Sequence, residues 1–157
     1  MELILHTNRL NLAACSHHLF PLMQKELYDT HPHITAHLDQ LEKNPTLYGW
    51  GPWLILQANH QHIVGDIGFK GKPDHRDSLE VGYGIRPQYQ NNGFATEALE
   101  GLIDWAFNQK HVRSVTAQCR HDNYSSIRVL EKVHMLPMKE EFQMIHWCRK
   151  ANILLKK

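Results

Sequence analysis

The sequence predicts an α+β fold, in which a mixed and mostly antiparallel sheet contains one parallel pair of strands and is flanked by about four helices. Segment 79–85 alternates apolar and polar residues, as strands do, and segment 112–120 contains the alternating run 115–119. Between them, after Gly93, lies a long stretch with one apolar stripe, which is typical of a helix packed on a sheet. A strand, a helix and a strand in this order form a crossover, so the two strands are expected to be parallel.

The remaining elements are predicted from the spacing of their apolar residues. Strand periodicity is found in segments 3–5 and 9–13, which together predict one interrupted first strand, and in segments 53–58, 63–69, 138–142 and 144–149. Helical periodicity is found in segments 17–28, 34–43 and 125–133. Ser16 can cap the first of these helices, Pro21 leaves its start open, and Asn44-Pro45 ends the second. We therefore expect antiparallel strands and two helices, then the crossover unit, then a helix and a final hairpin.

Length and charge indicate an ordinary globular protein. The 157 residues are 42% hydrophobic and 21% charged, which predicts a single domain over residues 1–157 with a sizeable core. The formal net charge of +1 gives no bulk attraction to nucleic acid or to an anionic membrane surface, so neither is expected as a partner.

Cysteine content and the first residues predict a cytoplasmic location. The three cysteines form no CxxC pair, so a disulfide framework is not expected and a reducing compartment fits best. No apolar run approaches the roughly 20 residues of a membrane span. The first six residues are too few and too polar to form a signal peptide.

The thirteen histidines raise the question of a metal site. A zinc site needs three or four convergent ligands. His31, His33 and His37 could present imidazoles close together, but the other histidines are scattered over the whole chain. We therefore expect solvated surface histidines and no metal, with a histidine-rich metal protein as the alternative.

The turn between segment 79–85 and the long helix predicts an anion site. It is polar and carries one glycine, Gly93, where the helix would begin. The first N–H groups of a helix have no intrahelical acceptor, and the helix dipole places partial positive charge there. We therefore expect this turn to hold a pyrophosphate.

Four segments, in order along the chain, resemble the GCN5-related N-acetyltransferase (GNAT) superfamily. Gln90-x-x-Gly93-x-Ala95 resembles its acetyl-CoA motif. The other matching segments are Thr7-Asn8-Arg9-Leu10-x-Leu12, Glu80-Val81-Gly82-Tyr83 with Gly93-Phe94-Ala95-Thr96-Glu97-Ala98, and Asn123-x-x-Ser126-Ile127-Arg128-Val129-Leu130-Glu131-Lys132. Together they resemble the branch that includes the ribosomal-protein N-terminal acetyltransferases.

The resemblance implies acetyl-CoA as co-substrate, without a metal. Backbone N–H groups from about Asn91 to Ala95 would hold the pyrophosphate, and pantetheine would pair with backbone near Tyr83–Ile85 in a gap between parallel strands. Asn123 and Ser126 would border the thioester. The cofactor-binding residues so implied are Tyr83, Ile85, Gln90, Asn91, Asn92, Gly93, Phe94, Ala95, Thr96, Asn123 and Ser126.

Acylation of an amine requires a proton acceptor, and Glu80 is the candidate base. Strand alternation places Glu80 on the same face as Gly82 and Gly84, and these glycines leave room for a ligand. The alternative is that Glu80 is a surface or ion-paired strand residue.

The sequence departs from the family pattern at two points. Leu130 stands where many members have the tyrosine that protonates the thiolate. Ser126, or less readily Ser125, could donate to the sulfur instead, although either serine could simply cap the helix. His134-Met135 replaces the usual Gly-Phe, which removes the residue best suited to a left-handed conformation at the helix end.

The predicted function is direct transfer of an acetyl group to a primary amine by an acetyl-CoA-dependent N-acetyltransferase. A peptide N-terminus and a small-molecule amine both remain open as acceptors, and a monomer and a homodimer remain open as assemblies. The absent tyrosine suggests the alternative of a non-catalytic acyl-CoA-binding or sensing module.

Overall fold

The computed structural model describes residues 2–152, which contain one eight-stranded sheet and four α-helices. The strands are β1 Ile4–His6, β2 Leu10–Ala14, β3 Pro52–Gln57, β4 Ile63–Phe69, β5 Ser78–Ile85, β6 Ser114–Arg120, β7 Leu136–Glu141 and β8 Met144–Lys150. The helices are α1 Phe20–Lys25, α2 Pro32–Lys43, α3 Phe94–Phe107 and α4 Tyr124–Lys132. None of these helices is long and apolar enough to cross a membrane.

The strand order is β1-β2-β3-β4-β5-β6-β8-β7, and only β5 and β6 are parallel neighbours. Each of the other neighbouring pairs is antiparallel. The right-handed crossover rule accounts for the parallel pair, since α3 connects β5 to β6. The predicted fold class is confirmed.

The parallel pair is short, and the sheet opens beyond it. β5 pairs with β6 only along Ser78–Glu80. The rest of β5 stays paired with β4 as far as Ile85, while β6 stays paired with β8 as far as Arg120. The two strands therefore diverge after Glu80 and leave a wedge between them.

Helices lie on both faces of the sheet at β3, where successive strand residues point in opposite directions. On β3, Trp53 and Ile55 pack with α3, whereas Leu54 and Leu56 pack towards α1 and α2. The α3 side chains buried in the larger core are Ala98, Leu99, Leu102, Ile103 and Ala106. Burying one large aliphatic side chain contributes about 1.5–3 kcal/mol, so β3, covered on both faces, anchors the fold.

Two of the predicted elements were wrong in detail. The interrupted first strand is a hairpin, because the Thr7 N–H donates to the carbonyl of Leu10 and turns the chain between β1 and β2. The helix predicted over 17–28 is α-helical only from Phe20 to Lys25 and is preceded by a 3₁₀ turn. Pro21 cannot donate a backbone hydrogen bond, and Leu27 leaves the helix with a φ of 52°.

One carboxylate ties the β1–β2 turn to α3. Glu97 accepts hydrogen bonds from the Thr7 hydroxyl, from the Arg9 N–H at 2.7 Å and from the Arg9 guanidinium at 2.7 Å. Burial opposes the charge on Glu97, but these bonds outweigh it and hold the pKa of the carboxyl below its ordinary value. Glu97 therefore has a structural role in the first turn of α3.

α4 ends in a left-handed residue that is not glycine. His134 has a φ of 64°. Its N–H donates to Glu131 O and the Met135 N–H donates to Leu130 O, both at 3.0 Å, which satisfies the last helical carbonyls. The chain thus keeps the backbone shape of the family pattern without the residue that favours it.

Replacing His134 by glycine should stabilise the protein. The change relieves the left-handed strain and should raise the free energy of unfolding by about 1 kcal/mol, or Tm by about 2–4 °C. Urea denaturation measures it. Lys132→Gly, in the ordinary helical conformation two residues earlier, is the control and should destabilise by about 1 kcal/mol. A loss of stability in His134→Gly would contradict this explanation.

The Glu97 carboxylate predicts a pH-dependent contribution to stability. Because its folded pKa lies below the unfolded value, the contribution is complete above the unfolded pKa, about 4.3, and disappears as pH falls through the folded pKa. Glu97→Gln should cost about 2 kcal/mol at pH 7 and progressively less below about pH 4. Glu100→Gln, exposed on the same helix, should cost almost nothing at either pH. An equal cost for Glu97→Gln at both pH values would contradict the prediction.

Candidate active site

The turn from β5 into α3 exposes backbone N–H groups. Asn91 and Gly93 are left-handed, with φ of 65° and 78°, and Gly93 directly precedes α3. The side chains on either side fold back onto the turn: Gln90 donates to Ile85 O, and Asn92 donates to the carbonyls of Tyr89 and Gln90, each at 3.0 Å. The N–H groups at the start of the 14-residue α3 have no acceptor one turn earlier.

Arg9 braces this turn from outside the crossover unit. Its guanidinium donates to Asn92 O at 2.9 Å and lies 4.5 Å from the centre of the Phe94 ring. Glu97 holds the other side of the same guanidinium. The turn is therefore fixed before any ligand arrives, which favours anion binding by preorganised N–H groups.

The wedge between β5 and β6 exposes one edge of β5. Arg86 N donates to Val64 O, and Lys70 N donates to Glu80 O, so even-numbered residues of β5 direct their backbone groups towards β4. By the same alternation, Tyr83 and Ile85 direct theirs towards the edge that β6 has left. An extended chain lying in the wedge could pair with these groups, as the resemblance implied for pantetheine.

Side chains from β5 and α4 meet across the wedge. The Tyr83 hydroxyl donates to Ser126 Oγ at 3.1 Å, and burial is the main cause that raises the pKa of Tyr83. Asn123 caps α4, since its Oδ1 accepts from Ser126 N at 3.2 Å and from the Ser125 hydroxyl at 3.1 Å. Neither serine is the cap, and Ser126 Oγ is left facing Tyr83. Leu130 is buried in the core, so its position offers no proton donor.

On the face opposite α3, β5 forms the floor of a cavity of about 1020 Å³. A Cβ added at Gly82 or Gly84 would meet no atom within 4 Å, so this part of the floor is open. Apolar and aromatic residues form much of the wall, among them Leu27, Tyr28, Leu47, Trp50, Pro52 and Phe69. Trp50 therefore lines the cavity, whereas Trp53 is fully buried in the core.

Glu80 lies beyond one end of the glycine floor and is held in an ion pair. Lys70 Nζ is 2.6 Å from Glu80 Oε2. Lys70 contributes to the cavity wall, whereas Glu80 lies outside the cavity lining. This geometry matches the alternative reading of an ion-paired strand residue, and the role of Glu80 as base stays a prediction.

A second carboxylate, which the sequence analysis missed, lies inside the cavity. Asp66 on β4 is 7% exposed, lies directly opposite Gly84 in the sheet and therefore shares the floor's face. It accepts a hydrogen bond from the Tyr28 hydroxyl and is 3.0 Å from His33 Nε2. Burial, then the bond to Asp66, raises the pKa of Tyr28 and keeps it a donor. A lone aspartate within the apolar segment 63–69 was the available signal.

Several histidines gather near this cavity without forming a metal centre. Within residues 2–152, no group of three or more His, Cys, Asp or Glu side chains is placed to hold a metal ion. His31 stacks on His33, with ring centroids 5.7 Å apart. His37 is buried, and burial lowers its pKa. The Cys119 thiol is also buried and accepts from Trp147 Nε1, as expected for a core residue.

Comparison with known sequences identifies a family. Residues 11–136 match the family model described as Acetyltransferase (GNAT) domain. The uncharacterized N-acetyltransferase YjdG of Bacillus subtilis is 34% identical over 107 residues, which cover 68% of this chain and 64% of that protein. YnaD of the same organism is also 34% identical, over 52% of this chain and 47% of that protein. These matches span about half to two thirds of the length of the relatives.

Solved structures share the fold over almost the whole chain. RimL, a ribosomal L7/L12 alpha-N-protein acetyltransferase solved with coenzyme A, gives a TM-score of 0.75 at 17% identity and covers 96% of this chain and 99% of its own. Spermidine N-acetyltransferase from Vibrio cholerae gives 0.73 at 13% identity, covering 94% and 98%. At such low identity these matches support the fold alone. The family model, which spans residues 11–136, shows that this chain belongs to the GNAT acetyltransferase family.

Proposed function

We propose that this protein is an acetyl-CoA-dependent N-acetyltransferase that transfers the acetyl group directly to a primary amine in a ternary complex. One observation carries the proposal: β5 borders the wedge with its edge and the cavity with its face. A thioester held in the wedge and an amine held in the cavity would meet beside Gly82 and Gly84, where the floor is open. Transfer between two reactants held side by side needs no covalent acyl-enzyme intermediate.

The residues at the turn fit the phosphates of coenzyme A. Gly93 is left-handed and has no side chain to fill the space in front of α3. Backbone N–H groups from Asn91 to Thr96 are the proposed pyrophosphate donors, with Phe94 and Ala95 in the first helical turn. Gln90 acts indirectly, since its bond to Ile85 O fixes the turn on the end of β5.

The residues at the wedge fit the extended arm of the cofactor. Tyr83 and Ile85 offer backbone groups along the free edge of β5. Asn123 shapes the opposite wall by capping α4, which sets the position of Ser126. Bound acetyl-CoA supplies an acetyl group that is already activated as a thioester.

Ser126 is the proposed proton donor to the departing sulfur. Its oxygen accepts the Tyr83 proton, so its own hydroxyl proton is free to be donated elsewhere. The contact to Tyr83 also supports a purely structural role, as a tie across the wedge. Because CoA thiolate is a tolerable leaving group, Leu130 does not prevent catalysis, but it does favour the alternative of an acyl-CoA-binding module.

Both classes of acceptor are represented among the neighbours that share the fold. One is named for a ribosomal protein's α-amine and another for spermidine. A wide cavity with apolar walls can admit either a peptide N-terminus or a small molecule.

Placing a charge in the turn should weaken cofactor binding strongly. Gly93→Glu puts a carboxylate and a side chain at a left-handed position in the phosphate cradle and should weaken coenzyme A binding by about 100-fold or more. Isothermal titration calorimetry measures the affinity, and circular dichroism checks the fold. Gly71→Glu is the matched control, because Gly71 is also left-handed but has open space around it. Equal affinity for both variants would refute the cradle.

Thiol release separates the enzyme from the sensing module. The parent protein, given acetyl-CoA and a panel of primary amines and N-terminal peptides, should release CoA only when an acceptor is present. Tight acetyl-CoA binding without acceptor-dependent release across the panel would favour the non-catalytic alternative.

A further inference from the structure

We propose that Asp66 binds the ammonium group of the acceptor and takes its first proton, which His33 passes to solvent. The acceptor class that fits this site is a primary amine with a single positive charge on an apolar or aromatic body. The inference rests on the proposed acetyl transfer and assigns to Asp66 the role that the sequence predicted for Glu80.

Asp66 stands beside the open part of the floor. The sheet register pairs Asp66 with Gly84. The two residues form a hydrogen-bonded antiparallel pair, so their Cα atoms lie about 5.5 Å apart. Its side chain lies on the same face as the missing side chains of Gly82 and Gly84. Glu80 precedes Gly84 by four residues on β5, which is about 13 Å at the ordinary rise of a strand. Asp66 is therefore the nearer carboxylate to Gly84 in the open part of the floor.

The partners of Asp66 connect the cavity interior to solvent. Tyr28 donates to one carboxylate oxygen and His33 contacts the other at 3.0 Å. The side chain of Asp66 is only 10% exposed, whereas that of His33 is 53% exposed. A proton accepted by Asp66 can therefore leave through an imidazole that faces water.

Charged groups around Asp66 leave its site open to one ammonium. Arg86 lies over the Tyr28 ring at 5.5 Å and is paired with Glu26, and Lys70 is paired with Glu80. Burial, with the charge of Asp66, raises the pKa of Cys15 to about 12, so this thiol stays neutral. The other titratable groups in the cavity wall are Asp29, His31, His37 and Tyr83. Among the described lining residues, Asp66 is the only buried carboxylate.

The same distribution of charge selects against polyamines. A second or third ammonium would need further carboxylates inside the cavity, but Asp29 is 85% exposed at the rim and Glu80 is already paired. Beyond Asp66 the walls are Trp50, Phe69 and neighbouring apolar residues. An aromatic ring or an aliphatic chain attached to the amine would pack there with little desolvation cost.

The step balances without another reactant. The ammonium gives one proton to the Asp66 carboxylate, and the freed lone pair forms the N–C bond to the acetyl carbonyl. The C–S bond breaks, and the sulfur leaves as thiolate. The nitrogen then loses a second proton, and the thiolate takes up one proton, so these two balance. The first proton leaves through His33.

The test uses 2-phenylethylamine, with spermidine as the polyamine comparison, in a thiol-release assay between pH 6 and 9. Asp66→Asn keeps the shape and the hydrogen bond from Tyr28, and should lower kcat/KM at pH 7 by about 100-fold while acetyl-CoA affinity is unchanged. Because the variant can use only free amine, its kcat/KM should rise by about tenfold per pH unit, whereas the parent levels off. His33→Gln should lose about tenfold. Asp39→Asn, exposed on α2, is the control and should match the parent.

Two outcomes would overturn the inference while leaving acetyl transfer intact. One is an Asp66→Asn rate within about threefold of the parent together with a loss of about 100-fold in Glu80→Gln, which would return the role to Glu80. The other is a parent kcat/KM for spermidine above that for 2-phenylethylamine. If Asp66→Asn fails to fold, the half-exposed His33→Gln decides: full activity with an unchanged pH profile refutes the proton path. A parent that releases no thiol with any amine overturns the proposed function itself.

Discussion

The divergence of β5 from β6 after Glu80 is the constraint on which the other features of the site depend. β5 stays paired with β4, and β6 stays paired with β8. β5 and β6 therefore share backbone hydrogen bonds over only three residues. The backbone of Tyr83 and Ile85 is left at an unpaired edge, and an unpaired edge binds extended chains. Because Gly82 and Gly84 carry no side chains, the same segment also forms an open floor on its cavity face. In the proposed function, one strand thus borders both ligands.

A second constraint fixes the turn that follows this strand. Glu97 and Arg9 connect the β1–β2 turn, the first turn of α3 and the carbonyl of Asn92 in a single charged cluster. Three segments that looked independent in the sequence, namely the opening around Thr7, the glycine turn and the start of the long helix, are therefore parts of one structure. Preorganising a loop in this way removes most of the entropy cost of ordering it around an anion.

The sequence predicted the backbone elements around the candidate site well. The turn, the crossover and the order of elements follow from local signals such as Gly93 and the apolar stripe of α3. It predicted poorly where side chains meet across the sheet. Asp66 reaches Gly84 through strand register, and Tyr28 and His33 come to it from the α1–α2 region, where Pro21 shortened the expected helix. The contact between Tyr83 and Ser126 likewise joins residues 43 positions apart.

The most direct test of the two-ligand role of β5 is amide hydrogen exchange, measured by NMR with and without coenzyme A. Added protection is expected at Tyr83 and Ile85 and at residues 91–96, with little change at Gly82 and Gly84, whose backbone groups already face β4. Protection that appears on Gly82 and Gly84 instead, or that spares both the free edge and the turn, would contradict the account.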